Sequence, residues 1–231
     1  MSESARTRRA GSGFRGALVA FLLALLAVLS VAAPDLDRVV ALAGQRYGSS
    51  GEETLRAWRS MIEAGKALPE TEQLALVNAF FNNHVFFEDD KIVWKQPDYW
   101  ATPLETLGRG EGDCEDYSIG KYVTLGLLGV PIEKLRITYV RAELGQPGSG
   151  VSQAHMVLAY YETPDGEPLV LDNLVGELRP ASRRPDLRPV FGFNSQGLWV
   201  AGTRGPSAAD PNARLSRWRD LLSRMSADGL N

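Results

Sequence analysis

Cysteine is nearly absent from this chain of 231 residues: Cys114 is the only one, and histidine occurs only as His84 and His155. A single thiol rules out an internal disulfide, and one cysteine with two histidines leaves too few ligands for a structural zinc site. Surplus positive charge is missing too, because the net charge is -3. Residues 1–33 hold Arg6, Arg8, Arg9 and Arg15 against Glu3, a surplus of three, so the rest of the chain carries -6. That balance argues against a nucleic-acid partner. The sequence has no EF-hand loop pattern, no internal repeat and no composition shift that marks a second domain.

What is present starts with an N-terminal extension. Residues 1–33 begin basic, continue as an uncharged apolar stretch from Gly16, and end in Val31, Ala32 and Ala33. This is the pattern of a secretory signal; cleavage between Ala32 and Ala33 suits the small-residue preference, and Pro34 disfavours cleavage directly before itself. The apolar stretch approaches the roughly 18 residues that suggest a spanning helix. An uncleaved membrane anchor through residues 16–33 therefore stands beside a cleaved signal peptide, with one catalytic domain over residues 34–231. In an exported chain a lone thiol is either a small buried hydrophobe or a reactive group.

Residues 34–83 carry helical periodicity, with Leu55, Trp58, Met61 and Ile62 on one face and Leu74, Val77, Phe80 and Phe81 on another. Pro69 opens the second helix. Residues 85–112, rich in proline and glycine, read as an irregular wall. A helix over about 114–128 follows, stopped by Gly129 and Pro131. Strands are expected at 136–142, 155–161, 168–173 and 198–202, the second and third joined as a hairpin by the turn Thr163–Gly166, and a last helix at 213–225. Helices first, then one helix on a run of antiparallel strands, give an α+β fold.

Cys114 sits at the start of its helix, where the partial positive charge and unpaired N–H groups favour a thiolate and can hold an oxyanion. His155 is the expected base; His84 reads as a cation at a helix end or as core filler. Reflecting residue 155 about the hairpin turn reaches about 173, which brings Asp172 beside His155 as the group that orients the imidazole. Asp172 also reads as an ordinary strand-end turn residue. Asp113, Glu115 and Asp116 crowd the thiol and oppose its ionisation. Two readings account for them. Asp113 and Asp116 form a capping-box arrangement, or a hard cation such as calcium takes the carboxylates and cancels their charge.

The blocks GDCEDYSIGKY, QAHMVLAY and LVLDN, preceded by DYWATPLETL, resemble the bacterial transglutaminase-like cysteine proteinases, in particular the LapG-type periplasmic proteases that trim large biofilm adhesins. The resemblance runs from about residue 34 to the C-terminus. It implies a papain/transglutaminase-like core with a Cys114, His155 and Asp172 triad, and Ca2+ held by Asp113 and Glu115. It also implies a periplasmic endopeptidase that cleaves next to paired alanines near the N-terminus of a large surface adhesin, promoting biofilm dispersal, under an inhibitory inner-membrane receptor for cyclic-di-GMP. An acyltransferase using the same triad is the alternative, and a calcium-responsive binding module is the non-enzymatic one. Trp100 is a candidate second oxyanion donor.

Overall fold

The structure, a computed structural model, describes residues 34–145, 150–202 and 205–230. The expected signal or anchor at 1–33 lies outside the described residues. Among the described residues no helix is long and apolar enough to cross a membrane.

The helical half comes first. Helix α1 (Leu36–Gly65) is two helices joined at a kink, where Gly48 adopts φ 73°. Helix α2 (Glu70–His84) starts after Pro69. A two-residue strand β1 (Phe86–Phe87), a short helix α3 (Asp90–Val93), helix α4 (Pro103–Arg109) and strand β2 (Glu111–Gly112) follow. Helix α5 (Cys114–Leu127) carries the lone cysteine as its first residue. The wall at 85–112 is thus more ordered than expected. Thr102 and Glu105 form a capping box around Pro103, with Glu105 N–H donating to Thr102 Oγ1 at 3.2 Å and Thr102 N–H donating to Glu105 Oε2 at 2.8 Å. β1 pairs in parallel with β2, Phe86 facing Glu111 and Phe87 facing Gly112, which ties the wall to the segment leading into Cys114.

Beyond α5 come β3 (Leu135–Glu143), β4 (Ser152–Tyr160), β5 (Leu169–Leu171), β6 (Arg179–Pro180), β7 (Leu187–Phe193) and β8 (Leu198–Val200). They form a six-stranded antiparallel sheet in the order β6-β5-β4-β3-β7-β8. Strand β7 was not expected, because Pro189 demotes its sequence as a strand. The sheet accommodates the proline at a register shift: Tyr139 faces Phe191 and Val140 faces Pro189, so Val190 is the extra residue of a bulge. Two terminal helices, α6 (Pro211–Arg214) and α7 (Ser216–Asp228), stand where one was expected.

A single apolar cluster joins Trp58 and Ile62 of α1, Leu74 and Phe81 of α2, Ile119 and Leu125 of α5, Ile137, Leu158 and Phe193 of the sheet, and Trp218 and Leu221 of α7. Burying each such side chain fully contributes about 1.5–3 kcal/mol. Helix α5 is the centre of this arrangement, and its approach to α2 depends on Gly120. A Cβ there would lie 2.2 Å from the Phe81 ring. Val140, Val157 and Val170 form a second, small cluster on the other face of the sheet. The α+β class is as expected, and the nucleophile helix is held from both sides.

Candidate active site

Strand β4 begins at Ser152, so His155 lies inside the strand, opposite Val140, and does not open it as expected. Leu158 faces Leu171, and residues 155 and 172 each lie an odd number of positions from that pair. Alternation therefore puts both side chains on the same side of the sheet. Asp172 comes just after β5 and is oriented by a local turn, its Oδ1 accepting from Leu174 N–H at 3.1 Å. His155 Nε2 meets the same oxygen at 2.8 Å, with both residues buried. Burial alone would raise the Asp172 pKa; hydrogen bonds from His155, Leu174 and Arg184 overcome it and hold the pKa at about 2. Asp172 is thus an anion held on Nε2, and Nδ1 is the ring nitrogen it does not take.

Cys114 is half-buried at the N-terminus of α5. A backbone hydrogen bond from Met156, the residue after His155, reaches its sulfur. The structure thereby brings the thiol to β4 at the histidine's neighbour. Its side-chain hydrogen bond, however, goes to Glu115 Oε2 at 3.1 Å and not to His155. Burial pushes the thiol pKa well up, and the charges of Glu115 and Asp113 push it further. In this arrangement the thiol is a neutral donor to a carboxylate.

The carboxylates explain that state. Asp113 occupies the N-cap position of α5 but makes no side-chain cap. Half of the expected capping box is present, since Asp116 accepts from the Asp113 backbone. Its Oδ1 also accepts from Ala101 N–H at 2.7 Å, which fastens the wall to the helix. Gly112 makes room for this acid, because a Cβ there would lie 2.7 Å from Asp116 Oδ2. Asp90, at the start of α3, is buried and accepts from Tyr99 N–H. Burial is the main force raising the pKa of Asp113 to about 10 and that of Asp90 to about 6, and neighbouring carboxylates add to it. The Asp116 pKa is raised for the same reasons.

Among the described residues, three sets of ligand atoms each lie within 4.8 Å of one another: Asp113, Cys114 and Glu115; Asp90, Asp113 and Asp116; and Asp90, Asp98 and Glu115. Asp90 Oδ1, Asp113 Oδ1 and Asp116 Oδ2 are buried without a hydrogen-bond partner among the described residues. Orphaned carboxylate oxygens converging in one place fit a hard cation and suit calcium, which takes six to eight oxygens. Of the residues in these sets, sequence reasoning singled out Asp113, Glu115 and Asp116 and did not consider Asp90 and Asp98. The only signal available was the acidic run before the tryptophans, some twenty residues away from the cysteine.

His84 and Trp100 lie outside this constellation. His84 ends α2, with Nδ1 2.8 Å from Phe80 O and its ring stacked on Phe80, in keeping with a helix-end role. The indole N–H of Trp100 is taken by Asp98, and its ring stacks on Phe193 in the core, so this side chain is not a free oxyanion donor.

The profile of the family described as bacterial transglutaminase-like cysteine proteinase matches residues 55–185. That stretch contains Cys114, His155, Asp172 and all five carboxylates. The chain belongs to this family. It is a cysteine peptidase of transglutaminase-like fold, and three solved structures of Legionella pneumophila LapG are similar to it. One is 42% identical, covers 84% of this chain and 99% of its own, and has a TM-score of 0.70. The EGTA-treated form is 43% identical, covers 84% and 100%, and has a TM-score of 0.71. The calcium-bound form is 42% identical, covers 83% and 99%, and also has a TM-score of 0.71. No curated protein matches the chain.

Proposed function

We propose that this cysteine peptidase is a calcium-dependent endopeptidase with Cys114 as nucleophile, His155 as base and Asp172 as the residue that orients His155. The observation that carries the reading is the combination of a buried His155–Asp172 pair with a helix-terminal thiol inside an uncompensated carboxylate cluster. Asp90, Asp113, Glu115 and Asp116, with Asp98 at the rim, would hold the cation, which would supply positive charge beside the sulfur. His155 Nδ1 takes the proton of the Cys114 thiol. The thiolate attacks the scissile carbonyl, and backbone N–H groups at the start of α5 stabilise the oxyanion. His155 then protonates the leaving amine, and water hydrolyses the thioester.

The segment at 1–33 and the resemblance to LapG-type proteases support a periplasmic location, with residues 16–33 either removed or kept as an anchor. The same resemblance supports the N-terminal region of a large surface adhesin as substrate and an inner-membrane cyclic-di-GMP receptor as inhibitor. The test incubates residues 34–231 with the N-terminal fragment of the large adhesin encoded nearest to it. Mass spectrometry should show two fragments in calcium, and intact substrate in EGTA or with Cys114→Ala. Incorporation of an added amine without chain cleavage would replace the peptidase reading with the acyltransferase.

A further inference from the structure

Asp172 has a second oxygen that faces away from the imidazole. Arg184 NH2 donates to this Oδ2 at 2.7 Å, and both side chains are almost completely buried. The guanidinium is itself gripped by Asp186: Nε lies 3.0 Å from Oδ1, and NH2 lies 2.8 Å from Oδ2. The Asp186 carboxylate is 40% exposed, so a chain of charge-assisted hydrogen bonds runs from solvent through Arg184 and Asp172 to His155. Its outer link is fixed in the fold, because Asp186 O accepts from Glu143 N–H at 2.8 Å at the end of β3.

We propose that Arg184, clamped by Asp186, is a positioning residue of the catalytic apparatus: it pins Asp172 Oδ2 so that Oδ1 stays on His155 Nε2. The inference rests on the triad reading given above. Two oxygens on one buried carboxylate compete for one proton donor in the imidazole, and an unpaired Oδ2 would be free to rotate toward it or to pick up a proton. The planar fork of Arg184 removes both options by bonding Oδ2 with two of its donors already fixed on Asp186. Asp172 needs this hold because it lies beyond the end of β5, outside the hydrogen-bonded ladder, where Leu174 N–H donates to its Oδ1 and Asn82 Nδ2, from α2, donates to its backbone carbonyl.

The experiment uses the single thiol as its own reporter. The rate of Cys114 alkylation by iodoacetamide is measured at fixed pH in saturating calcium, so no peptide substrate is needed. Arg184→Met should slow alkylation by between about ten-fold and a hundred-fold, the range that a 1 Å misplacement of a catalytic group produces. Arg184→Lys should recover part of that loss but not all of it. Asp186→Ala, at the exposed end and expected to fold normally, should slow the reaction several-fold. In an Asp172→Asn background both changes should have no further effect. Equal slowing by Arg184→Met or Asp186→Ala in the two backgrounds would overturn the role of Arg184 and leave the triad standing. An Asp172→Asn protein that alkylates at the native rate would instead overturn the triad reading. Should Arg184→Met not fold, Asp186→Ala and its double variant decide alone, and a native rate for Asp186→Ala rejects the proposal.

Discussion

Without calcium the protein should lose stability as the pH rises from acid toward neutral. Asp90 is raised to about 6 and Asp113 to about 10, and Asp116 is raised as well, all chiefly by burial. In the unfolded chain the same carboxyls titrate near 3.9, so above about pH 4 the folded chain binds more protons than the unfolded one. Stability then falls with increasing pH, through about pH 6 for Asp90 and further for Asp113. Each proton retained only by the folded state contributes about 1.4 kcal/mol per pH unit. In a domain of about 200 residues that corresponds to a Tm decrease of roughly 3–6 °C per unit. Asp172, Asp186 and Glu70 act in the opposite sense, since their pKa values are lowered. Their stabilisation is lost as the pH falls through the unfolded values, below the window for the two aspartates and at its acid edge for Glu70. The assay is thermal unfolding of the Cys114→Ala protein in EGTA from pH 4.5 to 6.5. A decline of at least about 3 °C per unit is expected, shallower in Asp90→Asn, with calcium flattening it because the cation replaces the protons. A Tm that stays level or rises across this range in EGTA would mean that the buried carboxyls do not hold protons in the folded state.

Other outcomes follow from the same contacts. At a calcium concentration 100 times Kd, linkage stabilises the fold by about 2.7 kcal/mol, a Tm rise of roughly 5–11 °C that Asp90→Asn or Asp116→Asn should shrink. Asp172→Asn should lower kcat by roughly 10³–10⁴ with the fold intact, measured by cleavage kinetics and circular dichroism. Lys121 is fully buried, its amine has no hydrogen-bond partner among the described residues, and burial lowers its pKa to about 7. Lys121→Met should therefore raise Tm at pH 7 by roughly 2–4 °C, about 1 kcal/mol, and a lower Tm would contradict this. Thr102 caps α4 and also donates to Asp228 Oδ2 at 3.1 Å, so Thr102→Ala should cost about 1 kcal/mol or more, read by urea denaturation.

Local chemistry carried most of the site into view. The helix start at Cys114 and the hairpin that brings Asp172 to His155 both follow from short-range signals, a cap position and a turn. The Thr102–Glu105 capping box with Pro103 was equally local and readable, yet the prolines around it suggested an irregular wall. Strand β7 was hidden for a different reason: only its pairing with β3 through a bulge makes Pro189 tolerable. Asp90 and Arg184 were not legible at all, since each acts across the fold, one on the thiol's carboxylates and one on the back of Asp172. Neither has a periodic or motif signature. Long-range electrostatic partners of this kind emerge only when the chain is folded.

The central claim is that the carboxylate collar restrains Cys114 and that calcium releases it. The most direct measurement is the iodoacetamide alkylation rate of this one thiol at neutral pH, in calcium and in EGTA, on otherwise identical protein. Calcium should accelerate alkylation, with Glu115→Gln reacting faster than native protein in EGTA because the thiol's acceptor and its nearest charge are both weakened. Equal rates in the two buffers, or a slower rate in calcium, would contradict the account.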